Sequence, residues 1–229
     1  MKLVFEENKK IQIVKSVTAS HIVDAQKGFT KLCPNELPVP DGELIVKEIK
    51  EQNKLVKYKT LSKDVHPSNA IWIADKKNPQ LSSIDGKNVD VFWNAHCISG
   101  TYGMELLNGI GHITDYDFFV AKGFEPDLHP YTSVYHDLKK KISTGLIEWY
   151  NQHDISTVII GGLALNSEKT PLCVGETVID LSNAGFQVIL NLAATKSLGS
   201  ELGRIHFVDT LINKYNILII NSCKELEII

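Results

Sequence analysis

Short runs of β-branched residues alternate with longer segments of helical periodicity along most of this 229-residue chain. This alternation is typical of a parallel sheet that is covered by helices on both faces. The predicted strands are Thr18–Asp24, Leu55–Leu61, Asp117–Ala121, Thr157–Leu163, Gln187–Leu192 and Ile217–Ile220. The predicted helices are Gly42–Asn53, Tyr102–Ile110, Val134–His153, Pro171–Ala184 and Leu202–Lys214, where apolar residues recur every three or four positions. The sequence therefore predicts a Rossmann-like three-layer α/β/α fold with a mainly parallel six-stranded sheet.

The first 15 residues precede this pattern and are predicted to form an added hairpin. Its two strands would be Lys2–Phe5 and Ile11–Lys15, on either side of a polar turn. We expect this extension to be structural. The chain has no internal repeat and no long linker, and its length suits one large domain, residues 1–229, better than two.

Composition limits the classes of partner. A net charge of −3 gives no electrostatic reason to expect nucleic acid or an anionic membrane. The longest apolar run, Val158 to Leu165, is far shorter than the roughly 18 residues of a membrane helix. The N-terminal sequence becomes charged too early for a secretion signal. The four cysteines are widely spaced, which is typical of free thiols, so we expect a cytoplasmic protein.

Reactive side chains follow the predicted strands where these strands end. Asp24 ends the first strand, Asp64 follows the second, and Lys122 follows the third. The fourth strand leads into a loop that reaches Cys173. Ligands of open parallel sheets bind beyond the carboxyl ends of the strands, so we expect these side chains to lie together.

Cys173 is a candidate nucleophile because of its local sequence. Thr170 and Pro171 are typical of an N-cap and a first helical position, which places Cys173 in the first helical turn. A helix start favours the thiolate, and its free N–H groups could stabilise an oxyanion. Asp24, desolvated at the end of an apolar strand, is the candidate proton acceptor, and Lys122 could orient it. Each residue alone also fits a structural role: a buried thiol, a cap or a surface lysine.

A second group of residues indicates a metal site. Asp64 and His66 are two positions apart, so on an extended segment their side chains point the same way. Carboxylate and imidazole suit Zn, Fe or Mn, and His96 is the candidate third ligand. Three protein ligands would leave open positions, which is the pattern of a catalytic metal. The other histidines are interpreted as structural or surface residues: His21, His112, His129, His136, His153 and His206.

The order of these segments resembles that of the nicotinamidases, which belong to the isochorismatase-like cysteine hydrolases. The resemblance extends from about residue 18 to residue 195. The matching segments are Ile22–Phe29, Glu36–Gly42, Asp64–Pro67, Trp93–Leu106, Lys122-Gly123, Tyr131–Ser133, Gly162–Ala164 and Cys173–Asp180.

The resemblance implies how these residues act. It implies a catalytic triad of Asp24, Lys122 and Cys173, and one divalent metal ion on Asp64, His66 and His96. It also implies a set of substrate-binding residues: Phe29, Trp93, Tyr131, Leu163 and Ala164. The implied reaction hydrolyses nicotinamide to nicotinate and ammonia through a cysteine thioester, in NAD salvage. The implied partner is this small-molecule substrate, and a homo-oligomeric state is left open.

The chain departs from the family pattern before the nucleophile. Ala164 and Cys173 are nine positions apart, five more than in the family, which makes Leu165–Leu172 an insertion. The resemblance implies a cis peptide bond between Leu163 and Ala164 and an oxyanion hole near it, which the insertion could displace. A further metal-binding histidine of some members is absent, since Ala70 and Trp72 occupy that region.

Two alternatives to this function are left open. One is a related cysteine amidohydrolase that acts on another small amide. The other is a relative that binds a ligand without turnover, which only the insertion supports.

Overall fold

A six-stranded parallel sheet forms the centre of the computed structural model, which describes residues 10–229. Its strands are β2 (Thr18–Val23), β3 (Tyr58–Asp64), β4 (Phe118–Lys122), β5 (Thr157–Leu163), β8 (Gln187–Lys196) and β9 (Leu218–Ile220). Two small two-stranded sheets contain β1 (Ile11–Ile13) with β10 (Leu226–Ile228) and β6 (Asn166–Ser167) with β7 (Thr170–Pro171). The large sheet has the order β4-β3-β2-β5-β8-β9, so the predicted parallel sheet is confirmed.

Helices cover the sheet on both faces. They are α1 (Val46–Lys54), α2 (Leu146–Gln152), α3 (Cys173–Asn183) and α4 (Glu201–Tyr215). Buried residues of α2, α3 and α4 share one core with Val23 of β2, whereas Ile49 of α1 shares a second core with Ile22. The three-layer α/β/α architecture is therefore confirmed. Within residues 10–229, no helix combines the length and the apolar character needed to cross a membrane.

β2 is buried along its whole length, although it carries polar residues. Hydrogen bonds fix these residues, although His21 Nε2 has no partner among the described residues. Ser20 Oγ donates to Asn53 Oδ1 at 2.6 Å, and His21 Nδ1 lies 2.9 Å from Thr60 Oγ1. The strand is thus fixed between the two helical layers from its first residue to the edge where Asp24 follows.

The helix predicted over Tyr102–Ile110 is wrong, because only a short 3-10 turn forms, at Tyr102–Met104. Instead, backbone groups of this segment form hydrogen bonds with a distant part of the chain. Lys27 N–H donates to Glu105 O at 2.9 Å, and Leu107 N–H donates to Ala25 O at 2.9 Å. These bonds join the segment to the residues that follow β2, and tertiary pairing therefore outweighs helical periodicity here.

The predicted helix Val134–His153 is also wrong over its first half. Residues before Leu146 form a loop in which His136 N–H donates to Ile142 O at 2.8 Å. The Asp137 carboxylate accepts two backbone N–H groups, from Lys141 and Ile142, both at 2.8 Å. Aspartate side chains compete for backbone N–H groups in this way, which favours a turn over a helix.

The N-terminal hairpin is only partly described, since Lys2–Phe5 lies outside the described residues. Its other strand, β1, pairs in parallel with β10 at the end of the chain. The sequence did not predict this pairing with β10. It joins Ile13 to a third small core that also contains Leu226.

The chain order places a crevice between β2 and β5. Successive strands β2, β3 and β4 proceed toward one edge of the sheet, and β5, β8 and β9 proceed toward the other. Such a reversal opens a crevice at the carboxyl ends of the two central strands. At that point Gly162 has a φ of +126°, and a Cβ there would lie 1.9 Å from Val23 O. Glycine at this position therefore permits close contact of the two central strands.

We predict that Gly162→Ala lowers the free energy of unfolding by at least about 3 kcal/mol, because the new methyl group collides with backbone. Gly185→Ala is the matched control, since Gly185 also has a positive φ of +93° but no atom within 4 Å of the added Cβ. Backbone strain alone should cost the control about 1 kcal/mol. Urea denaturation followed by circular dichroism measures both. Equal losses would contradict the steric explanation.

Candidate active site

A buried ammonium group forms the centre of the site. Lys122, the last residue of β4, has no solvent exposure. Its Nζ lies 2.7 Å from Asp24 Oδ2 and 3.1 Å from Asp64 Oδ1, and it donates to Tyr131 O at 2.8 Å. Burial by itself would lower the pKa of Lys122, but the two carboxylates outweigh it and raise that pKa well above its ordinary value. Lys122 is therefore charged and joins the ends of three strands.

Asp24 follows β2 in a left-handed backbone conformation, with a φ of +46°. Its carboxylate accepts a hydrogen bond from Ser62 Oγ at 2.7 Å, in addition to its ion pair with Lys122. Burial raises the pKa of Asp24 to about 6, and the ammonium of Lys122 opposes this rise. A carboxyl group with such a pKa can gain and lose a proton near neutral pH.

Cys173 is the first residue of α3 and lies beside both carboxylates. Its Sγ and one oxygen each of Asp24 and Asp64 all lie within 4.8 Å of one another. Burial raises the pKa of the Cys173 thiol well above its ordinary value, although Lys122 opposes this effect. This direction is opposite to the one expected from the helix start, because burial and the two neighbouring carboxylates disfavour the thiolate. A thiol of raised pKa needs a base to become a nucleophile.

The insertion before Cys173 forms a closed hairpin of β6 and β7. Thr170 and Pro171 are thus strand residues, and the prediction that they start the helix is wrong; Leu172 is the N-cap. At the base of the hairpin, Leu172 N–H donates to Leu165 O at 3.1 Å. Glu168 at its tip accepts hydrogen bonds from the N–H and Oγ of Ser200, at 2.8 and 2.9 Å. The added residues therefore project toward α4 and return the chain to the sheet.

The backbone near Cys173 leaves one helix-start donor available. The N–H groups of the next three residues donate to the carbonyls of Ala164, Leu165 and Leu172, at 3.0, 3.1 and 2.8 Å. The Cys173 N–H makes no hydrogen bond to another described residue. The peptide bond between Leu163 and Ala164 is cis, as the resemblance implies.

A chain of hydroxyl groups connects Asp24 with the start of α3. Ser62 Oγ lies 2.9 Å from Ser133 Oγ, and Thr177 Oγ1 lies 3.2 Å from Ser133 Oγ. Thr177 Oγ1 in turn donates to Cys173 O at 2.7 Å. These three residues were not predicted as site residues, because serine and threonine on separate elements carry no spacing signal. The network fixes the carboxylate and the thiol relative to each other.

Asp64 ends β3, and its backbone is fixed by a side chain that the sequence analysis also missed. Gln26 Nε2 donates to Asp64 O, and Asp64 N–H donates to Gln26 Oε1, both at 2.8 Å. Burial would raise the pKa of Asp64, but Lys122 and the neighbouring His66 outweigh it, so that pKa falls far below its ordinary value. Asp64 is therefore a permanent carboxylate.

Two predicted metal ligands lie beside this carboxylate. Nε2 of His66 is 3.6 Å from Asp64 Oδ2, and Nε2 of His96 is 4.0 Å from it. The Nδ1 atom of each ring lies 2.9 and 2.7 Å from a carbonyl oxygen, that of Gly123 and that of Asn94. A carbonyl only accepts, so each Nδ1 carries the proton and each Nε2 offers its lone pair. His66 Nε2 is buried without a hydrogen-bond partner among the described residues, which fits a metal ligand.

A third imidazole joins this pair. The nitrogen atoms of His66, His96 and His129, one from each, lie within 4.8 Å of one another. His129 is 4% exposed and lines the same cavity as His96, so of the two interpretations given from the sequence, structural or surface residue, it is not a surface residue. No sequence signal placed it here, because it lies 33 positions beyond His96 in a loop.

A cavity opens in front of the thiol and the imidazoles. Residues from six segments line it: Phe29, Leu37, Val39, Asp64, Trp93, His96, His129, Tyr131, Ala164, Leu172, Cys173 and Leu198. Trp93 Nε1 donates to Tyr131 OH at 3.3 Å, and Tyr131 OH donates to Asp90 Oδ1 at 2.9 Å. Leu163 is buried beside Gly42 and is not among these lining residues, whereas its neighbour Ala164 is. The aromatic walls suit a flat ring.

Comparison with known proteins identifies relatives of this chain. A scan against protein-family models returned no match. The nicotinamidase of Acinetobacter baylyi is 29% identical over 180 residues, which cover 77% of this chain and 80% of that protein. The solved nicotinamidase/pyrazinamidase of Acinetobacter baumannii is 25% identical and superposes with a TM-score of 0.79 over 91% of this chain and 98% of that one. Yeast nicotinamidase bound to the inhibitor nicotinaldehyde gives a TM-score of 0.76 at 24% identity, over 90% and 100% of the two chains.

We predict that Lys122→Met lowers the free energy of unfolding by about 3–5 kcal/mol at neutral pH, because two buried carboxylates lose their shared counter-charge. Lys54→Met is the control, since Lys54 forms an exposed ion pair with Glu51 at 2.7 Å and should lose less than about 1 kcal/mol. Chemical denaturation of the three proteins measures the difference. A loss for Lys122→Met no larger than that of the control would refute the central role of this ammonium in stability.

Proposed function

Because the chain belongs to the nicotinamidase family of isochorismatase-like hydrolases, we propose that it hydrolyses nicotinamide to nicotinate and ammonia, in NAD salvage. The observation that carries this proposal is the cluster of Cys173, Asp24 and Lys122 at one side of an aromatic cavity. A thiol, a carboxylate of raised pKa and an ammonium are the groups that nucleophilic cleavage of an amide requires.

In the proposed first step, Asp24 takes the proton of the Cys173 thiol, and Sγ attacks the carboxamide carbon. The pKa of Asp24, raised to about 6 by burial, makes it a better base than an ordinary aspartate. The C–N bond then breaks, and Asp24 returns the proton to the departing ammonia. A thioester between nicotinate and Cys173 remains, which water hydrolyses to nicotinate and the free thiol.

Lys122 supports both ends of this proton transfer. Its ammonium lies against Asp24 and lowers the pKa of the Cys173 thiol, which burial otherwise raises. The thiolate that forms during attack is therefore stabilised by a fixed positive charge instead of by water. Both carboxylates also contact the same ammonium, so the positive charge of Lys122 offsets the repulsion between Asp24 and Asp64.

The oxyanion that develops on the carboxamide oxygen needs hydrogen-bond donors. The Cys173 N–H at the start of α3 makes no hydrogen bond to another described residue, and we assign it to this role. Ala164, after the cis peptide bond, lines the cavity beside it. The insertion leaves this arrangement possible because its hairpin closes between Leu165 and Leu172.

The second part of the proposal is a divalent metal ion, Zn, Fe or Mn, held by Asp64, His66 and His96. The Nε2 lone pairs of the two histidines lie next to the Asp64 carboxylate, and this mixture of nitrogen and oxygen donors suits these ions. When bound, such an ion supplies a Lewis acid that binds the pyridine nitrogen of the substrate. Phe29, Trp93 and Tyr131 then enclose the ring.

The alternative of a ligand-binding relative without turnover is less well supported. A binder has no need of a buried ammonium beside a thiol and a carboxylate of raised pKa, since such charges are costly to bury. Hydrolysis of another small amide would use the same residues, and the metal site is what favours a pyridine ring.

We predict that Cys173→Ala reduces the rate of ammonia release from nicotinamide at least about 1000-fold, because the nucleophile is removed. The matched control is Cys97→Ser, since Cys97 is buried and its Sγ lies 3.7 Å from Gly103 O, a contact that a hydroxyl group can also make. Its rate should stay within a few-fold of that of the parent protein. Activity that survives in Cys173→Ala while both variants remain folded would reject this nucleophile.

We also predict that the purified protein contains about one Zn, Fe or Mn ion per chain, measured by elemental analysis. Asp64→Ala should lose this ion, because the carboxylate is the only anionic ligand proposed. Asp85→Ala, which removes an exposed carboxylate, should retain it. Dialysis against a chelator should abolish nicotinamide hydrolysis and added metal should restore it. A protein that is fully active without metal would contradict the metal site and leave the role of Cys173 intact.

A further inference from the structure

His129 is buried with neither ring nitrogen satisfied. Its side chain lies in the interior with 4% exposure, and neither Nδ1 nor Nε2 has a hydrogen-bond partner among the described residues. Burying a polar group without a partner costs free energy, and native structures rarely leave two such atoms on one side chain. A histidine in this state is expected to bind something that the protein chain itself does not supply.

The position of the ring indicates what it binds. The His129 ring centroid lies 5.3 Å from that of His66 and 5.6 Å from that of His96. One nitrogen from each of the three rings lies within 4.8 Å of the other two. Metal–nitrogen bonds of about 2.1 Å place ligand atoms roughly 3–4 Å apart, so small movements of these side chains would bring all three nitrogens to one ion.

The surrounding chain fixes this imidazole. His129 N–H donates to Asn88 O at 2.9 Å, and Trp72 Nε1 donates to the carbonyl of Leu128 at 3.2 Å. The indole of Trp72 also packs edge-on against His129, with ring centroids 4.5 Å apart, and against His66 at 4.6 Å. The same indole therefore packs against two of the three imidazoles.

We propose that His129 is a further protein ligand of the divalent metal ion, in addition to Asp64, His66 and His96. The inference rests on the proposed metal site and deepens it. Three imidazoles and one carboxylate favour Zn²⁺, Fe²⁺ or Mn²⁺ over Mg²⁺ and Ca²⁺, which prefer oxygen ligands. An ion that accepts six ligands would keep two positions for water and the substrate nitrogen, so the added ligand would still allow substrate to bind.

His129 could instead contact the substrate ring, since it lines the cavity and lies parallel to Trp93, at 16° and a centroid distance of 6.0 Å. The two roles differ in what the side chain must contain. A ring contact requires a flat surface, which phenylalanine retains. A metal ligand requires a donor atom, which glutamate retains and phenylalanine lacks.

The experiment measures metal binding without substrate. Metal-free parent protein and the variants His129→Phe, His129→Glu and His206→Ala are titrated with Zn²⁺ in competition with a chromophoric chelator. We expect the affinity of His129→Phe to fall at least tenfold and that of His129→Glu to recover part of this loss. His206 is exposed on α4, and His206→Ala should equal the parent protein. Co²⁺ spectra should also differ between the parent protein and His129→Phe.

The inference is overturned if His129→Phe binds Zn²⁺ within twofold of the parent protein and gives the same Co²⁺ spectrum. A raised KM for nicotinamide in that variant would then assign His129 to substrate contact. A variant that fails to fold is replaced by His129→Gln, which keeps polar atoms at a similar reach. Failure of the parent protein to bind either ion overturns the whole metal proposal, and that outcome is separate from the test of Cys173, which measures ammonia release.

Discussion

The ammonium of Lys122 lies between the carboxylates of Asp24 and Asp64, and the rest of the site depends on this contact. Two buried carboxylates at the ends of adjacent strands would repel each other without a shared cation. Lys122 reaches both because β4 pairs with β3 in a register that places Lys122 beside Asp64. The two carboxyl groups differ in pKa: burial raises that of Asp24 to about 6, whereas that of Asp64 lies far below its ordinary value because Lys122 and His66 outweigh burial.

The sheet explains how a few residues, distant in the sequence, form one site. The ends of β2, β3 and β4 carry Asp24, Asp64 and Lys122, and the segment after β5 leads to Cys173 at the start of α3. Close contact between β2 and β5 at Gly162 keeps Asp24 near the segment that leads to Cys173. The insertion does not disturb this geometry, because its hairpin closes between Leu165 and Leu172 and binds α4 through Glu168. A local addition is tolerated when the chain re-enters the sheet with its hydrogen bonds intact.

Sequence reasoning succeeded where a feature has a period or a fixed position relative to a strand. Five of the six predicted strands match the observed ones closely, and β3 is shifted by three residues toward Asp64. It failed where tertiary pairing competes with local preference. The segment at Tyr102 has helical periodicity, yet its backbone groups bind the loop after β2. At Cys173 the helix start favours a thiolate, but burial and the neighbouring carboxylates, which are properties of the assembled fold, raise the pKa of the thiol.

The sequence alone determined the layered α/β fold and the identity of the residues at the strand ends, because alternating polar and apolar runs and ordered motifs are local properties of the chain. Only the tertiary structure brought His129 next to His66 and His96, fixed Asp64 through Gln26, and connected Ser62 with Thr177 through Ser133. These residues lie on separate elements, and their contacts depend on how loops cross the sheet edge. The spacing of these residues along the sequence does not predict their contacts, because packing decides the distances between their side chains.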